Sequence, residues 1–189
     1  MSLRAFHIAL GAALLMGTGS AVAQQLTDRQ IVGSLDQLAG DAPAVDVGLL
    51  LQEVNANVGQ GVAQLPTWSL LAQLPQFAVD IEFENNSVAI MPESYRTIGL
   101  IADALHSPLL RHYKFLIVGH ANATGGAEHN LDLSLKRANA IMVALETTFS
   151  VPAGHLAAIG VGQELPLDAT NPKSAANRRV QLINLGGKK

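Results

Sequence analysis

The sequence predicts an α/β protein, a two-layer βαβαββ sandwich that follows a short helical segment. Three observations carry this. The run YKFLIVGH at residues 113–120 is almost continuously apolar, as expected of a strand buried on both faces. Residues 127–149 form a long amphipathic stretch with helical spacing. From Phe77 onward, strand-like and helix-like segments alternate at lengths that suit βαβ units.

Taken in order, residues 1–23 read as an export signal. Arg4 supplies a positive charge, an apolar run extends from Phe6 to Met16, and Ala21-Val22-Ala23 has the small-x-small form of a signal peptidase site. Cleavage is expected before Gln24. The run is too short for a bilayer core, which takes ~20 residues, and no later run is long enough to span one. The chain has no cysteine, so it can form no disulfide and lacks the lipid acceptor of a bacterial lipoprotein. The expected location is the periplasm of a bacterium with two membranes, with attachment to the outer membrane left open.

Residues 24–75 read as a helical extension and linker. Thr27-x-x-Gln30 is a capping-box pattern, and Ile31, Leu35 and Leu38 recur at helical spacing after it. A second amphipathic segment runs from Asp46 through Leu50, Val54 and Val58, and residues 40–43 and 59–66 are loop-like. The extension is acidic, with Arg29 its one basic residue, and is too short for an eight-stranded outer-membrane barrel. Two roles are open to it. Its helices either dock on a protein partner in the envelope or pack on the chain's own α/β domain.

Residues 76–187 form the domain. FAVDIEF alternates like a strand, and ENNS is a turn. Pro92 opens a helix through Tyr95, Ile98, Ile101, Ala102 and Leu105. HLAAIGVG and RRVQLINL supply the last two strands. Hydrophobic content of 49% is ample for a core, while a net charge of −3 provides no basic stripe for nucleic acid.

The stretch GHANATGGAEHN, between the apolar strand and the long helix, is small and polar, as loops that hold ligands often are. On the helix, Asn130, Leu133, Ser134, Arg137 and Ile141 share one side. Leu131, Leu135, Ala138, Met142 and Leu145 form the neighbouring stripe, expected to be core. Arg137 then lies within reach of the loop. It either clamps a carboxylate in bidentate fashion or pairs with a surface acid such as Asp132. The loop can bring backbone N–H groups and the Asn122 amide to a ligand.

Together, G-H-A-N-A-T-G, then Asn130, then L-S-x-x-R-A (Leu133, Ser134, Arg137, Ala138) and finally N-R-R-V at Asn177 to Val180 resemble the OmpA-like peptidoglycan-binding domain. The resemblance covers roughly residues 77–185. It implies non-covalent binding of the peptidoglycan stem peptide through its diaminopimelate, with an aspartate of G-H-T-D taking the ammonium and the motif arginine taking the carboxylate. Carried over, Arg137 is the carboxylate clamp, Asn130 a supporting hydrogen-bonder, and Asn177, Arg178 and Arg179 line or brace the site. Strand alternation is expected to turn only one of the two arginines toward it. This chain has Ala121-Asn122 where the family has Thr-Asp. Losing that charge costs on the order of 1–2 kcal/mol, roughly ten- to thirtyfold in affinity.

No cofactor or catalytic machinery is expected. His120, Glu128, His129 and Asp132 lack metal-ligand spacing, Ser134 has no nucleophile elbow, and Gly125-Gly126 is not followed by the lysine of a phosphate loop.

Overall fold

The computed structural model describes residues 26–38 and 43–187; the expected signal segment, 1–23, lies outside them. The elements are α1 (Asp28–Leu35), α2 (Val47–Ala56), α3 (Pro66–Leu71), β1 (Gln76–Val79), α4 (Tyr95–His106), β2 (Tyr113–Gly119), α5 (Ala127–Thr147), β3 (Leu156–Gly160) and β4 (Val180–Gly187). From β1 onward this is the expected βαβαββ order. The sheet runs β1-β4-β2-β3, with β4 antiparallel to both its neighbours and β2 parallel to β3.

β2 shows why the sheet needs cover on both sides. Its alternate side chains Phe115 and Ile117 enter one core, and Leu116 and Val118 enter another. The first core is completed by Ile98, Ile101 and Leu105 of α4, Ala138, Ile141 and Leu145 of α5, and Ile31 and Leu35 of α1. The second is filled by Leu50 and Val54 of α2, Trp68 and Leu71 of α3, and Val62 and Leu74. The extension therefore packs on the domain's own sheet and adds a layer to the two-layer sandwich. Fully burying side chains of this size contributes roughly 1.5–3 kcal/mol each.

The capping box at α1 is present, with Gln30 and Thr27 bonding reciprocally. The buried Asn184 amide donates to the carbonyl of Leu35 at 2.9 Å, which ties the end of α1 to β4. Asp46 caps α2 through the N–H groups of Gly48 and Leu49. Helix α3 lies where the sequence suggests only loop and linker. Its six residues are too few to display a period, and its position is set by burial of Trp68.

One strand is shorter than its pattern suggests, and another starts two residues later than expected. β1 stops at Val79, opposite Val180, because the chain before β4 turns away as a 3-10 helix over Ala175–Asn177. Beyond it, Ile81 stays buried and Phe83 makes only an isolated bridge to Ile90. For the same reason Arg178 and Arg179 precede β4, so strand alternation does not govern them.

The buried stripe of α5 also differs from expectation. It consists of Asn130, Ser134, Ala138, Ile141, Ala144 and Leu145, while Leu131, Leu135 and Met142 are only partly buried. The cause is contact with two strand ends. A Cβ on Gly119 would lie 2.2 Å from the Ser134 carbonyl oxygen, and one on Gly160 would lie 2.2 Å from the Leu135 nitrogen. At that approach only small or hydrogen-bonded side chains fit between helix and sheet. Ser134 meets the condition by accepting a 2.9 Å bond from the Gly162 N–H.

Candidate functional site

The loop after β2 is held on three sides. The Ala121 N–H donates to the Gly162 carbonyl, the Ala123 N–H to the Pro172 carbonyl, and the His120 N–H to the Arg179 carbonyl. Asn130, buried in the first turn of α5, donates from its amide to the Asn122 carbonyl at 3.1 Å and to Gln163 Oε1 at 2.7 Å. Asn130 is thus a brace for the loop. No side chain caps α5 at Gly126, so the positive end of the helix stays open beside the loop.

Asn122 is itself buried and engaged at both ends of its amide. Its Nδ2 donates to the Lys173 carbonyl at 2.9 Å, and its Oδ1 accepts from Thr124 Oγ1 at 2.9 Å. Asn177 does the same for the facing loop. Its Oδ1 accepts from the Asp168 N–H at 2.8 Å, and its Nδ2 donates to the carbonyls of Asp168, Asn171 and Pro172 at 3.1–3.3 Å. Wholly buried, Asn177 does not line the groove.

That groove, of about 730 Å³, opens at the C-terminal end of β2 and the approach to β4. Asn122, Asn130, Arg137, Arg178 and Arg179 all line it, as do Asp80, Glu82, Phe83 and His120. The far wall is the turn after Phe83, docked on α5 by two side chains. His129 Nε2 meets Asn86 Oδ1 at 3.2 Å, and Arg137 Nε donates to the Ser87 carbonyl at 3.0 Å. The Arg137 guanidinium also lies over the Phe83 ring, 4.8 Å from its centre.

Arg137 does not pair with Asp132, whose carboxylate binds Lys136 at 2.7 Å. Among the described residues its two terminal Nη groups have no partner, so the planar fork is oriented and free. Burial, and then the charge of Arg178, lower its pKa from the ordinary arginine value. A bound anion would relieve both effects. Arg178 is exposed, and among the described residues its side chain has no partner. Arg179 has a different task, donating from Nη2 to the Leu165 carbonyl at 3.1 Å.

His120 is 4% exposed, and its Nε2 meets Gln181 Oε1 at 2.9 Å. The amide oxygen requires the proton on Nε2, which leaves Nδ1 buried and unpartnered. Burial, reinforced by the nearby Arg179 charge, pushes the pKa down to about 3, so the ring is neutral at ordinary pH. No group of three or more metal-ligating side chains occurs among the described residues.

Sequence reasoning brought Asn122, Asn130, Arg137, Arg178 and Arg179 to one place but missed the opposite wall. Asp80 and Glu82 sit in an alternating strand pattern whose polar positions read as ordinary solvent-facing residues. Ser87 acts through its backbone carbonyl, and no residue identity signals that.

The OmpA family model matches residues 82–179, just over half of the chain. The chain belongs to the OmpA family. Putative lipoprotein YfiB of Escherichia coli K12 is 33% identical over 105 residues, which is 54% of this chain and 64% of that protein. Outer membrane porin F of Pseudomonas aeruginosa is 28% identical over 116 residues, 59% of this chain and 32% of the porin. The chain thus spans less than two thirds of the length of these relatives. The fold of the periplasmic domain of Helicobacter pylori MotB is similar, with a TM-score of 0.52 at 20% identity over 62% of this chain and 86% of that one. No catalytic family is indicated. Among the described residues no helix is long and apolar enough to cross a membrane.

Proposed function

We infer that this OmpA-family chain is an exported, non-enzymatic cell-envelope protein that binds the peptidoglycan stem peptide non-covalently through its diaminopimelate. The observation that carries the reading is Arg137. It is held by the Ser87 carbonyl and the Phe83 ring, and it offers an unpartnered guanidinium fork to the groove. A fixed fork matches a carboxylate in two parallel hydrogen bonds and loses little entropy in doing so. Arg178 adds positive charge to the same field. The uncapped start of α5 favours the same sign of ligand.

The rival reading, an envelope adaptor that docks a partner on its N-terminal helices, has less surface to use. Leu50, Val54, Trp68 and Leu71 are committed to the chain's own core, which leaves outward residues such as Leu49 and Leu70. Calorimetric titration of a diaminopimelate-containing muropeptide into the mature chain tests the main reading. Saturable binding that disappears in Arg137→Ala is the expected result. A wild-type chain that takes up no muropeptide would sink it.

A further inference from the structure

We propose that Asp80 and Glu82, on the wall formed by the segment after β1, receive the ammonium end of the ligand whose carboxylate Arg137 holds. This rests on the reading that the groove takes a zwitterionic amino acid, and it assigns the cationic half to residues outside the loop after β2.

A ligand ammonium needs anionic or strongly accepting groups that are not already engaged. Among the described residues, Asp80 and Glu82 are the only carboxylates that line the groove. Both are exposed, and neither side chain has a hydrogen bond or ion pair among the described residues. Unpartnered charges of both signs on one groove are the complement of a zwitterion.

The alternative receiver would be Asn122. Its amide is buried, and both ends are occupied by the Lys173 carbonyl and Thr124 Oγ1. An ammonium at Oδ1 would have to share that oxygen with Thr124 and would find no net charge. His120 adds no competing positive charge, since its buried ring is neutral. The Arg179 guanidinium is drawn toward the Leu165 carbonyl. The wall that bears Asp80 and Glu82 is set against α5 by the contacts of Asn86 and Ser87, and those contacts also orient Arg137.

The test is calorimetry on the mature chain with two probes, a diaminopimelate muropeptide and the same muropeptide acetylated at its free diaminopimelate amine. Wild type, Asp80→Asn/Glu82→Gln and Arg137→Ala are compared, with circular dichroism to confirm folding. These isosteric changes at exposed side chains leave the core untouched. The expected result is a loss of about ten- to thirtyfold for the free-amine probe in the double variant, as for loss of a charge-assisted contact. The acetylated probe should bind wild type and double variant equally. If wild type and double variant hold the free-amine probe with the same affinity while Arg137→Ala loses it, the ammonium is received elsewhere. The assignment then falls while the peptidoglycan reading stands. If wild type binds neither probe, both fall together.

Discussion

Two regions of this molecule use the same kinds of polar group in opposite ways. Under the groove and along the loop that leads to β4, most polar side chains are engaged with backbone, with Arg179 Nη1 and His120 Nδ1 as exceptions. Asn177 makes four hydrogen bonds to backbone. Both carboxylate oxygens of Glu164 accept from backbone, the Gly59 N–H at 2.9 Å and the Gly61 N–H at 2.8 Å. Those glycines have φ of 80° and 83°, a backbone form that turns successive N–H groups toward one anion. On the groove walls, by contrast, Asp80, Glu82, Arg178 and the terminal nitrogens of Arg137 are left without partners among the described residues. The difference teaches which residues are scaffold. A group whose hydrogen bonds are complete holds the chain, and one oriented but unsatisfied is available to a ligand.

His120 lies on the boundary between the two regions and supplies the largest test. Its folded pKa is about 3 against an ordinary 6.5. Between these values the unfolded chain takes up a proton that the folded chain refuses. Stability from this group is therefore complete above pH 6.5 and is lost as pH falls toward 3, by up to roughly 5 kcal/mol. Urea unfolding at pH 7, 5 and 3.5 should show the loss, and His120→Gln should flatten this part of the pH dependence. An unchanged slope in the variant would assign the acid sensitivity to carboxylates instead.

Asn177→Ala should cost about 2–4 kcal/mol, because it removes four hydrogen bonds and leaves the part-buried N–H and carbonyl of Asp168 without these partners. It should lower the melting temperature and weaken ligand binding only through loss of loop order. Arg137→Ala inverts that pattern. Affinity for the muropeptide should fall by about 2–3 kcal/mol, with stability changed by less than about 1 kcal/mol. If Arg137→Ala destabilised the fold as much as Asn177→Ala, the division between scaffold and site would fail.

Asn122→Asp sharpens the comparison. A carboxylate cannot donate to the Lys173 carbonyl 2.9 Å away, so the change should destabilise by about 1–3 kcal/mol. It should not improve binding. Tighter binding in this variant would return the ammonium to the loop after β2. The smallest effect is expected for Glu164→Gln, about 1–2 kcal/mol, as one of the Gly59 and Gly61 N–H groups keeps a neutral amide oxygen and the other loses its acceptor to the amide NH2. Faster proteolysis around residues 57–65 would report it.

Much of the fold was legible because periodicity is local. The capping box at Thr27, the strand at residues 113–119 and the long helix from Ala127 need only near neighbours to declare themselves. Arg137 was legible too, since its place on α5 follows from spacing. The core stripe of α5 was not. Two glycines on separate strands draw the helix so close that Asn130 and Ser134 face inward in place of Leu131 and Leu135, while Ala138 and Leu145 are core as the spacing suggests. Helix α3 was missed because Trp68 gains its burial from β-strand residues distant in sequence.

The sequence by itself determined the order of elements from β1 onward, the signature of the loop and the cationic side of the groove. Each is written in short-range spacing and residue type. Tertiary structure alone decided which polar groups are spent and which are free. Lys173, whose carbonyl occupies the Asn122 amide, is 51 residues from it, and Ser87, whose carbonyl orients Arg137, is 50 residues away. A hydrogen bond is satisfied by whatever the fold brings within about 3 Å, and no local pattern records that meeting.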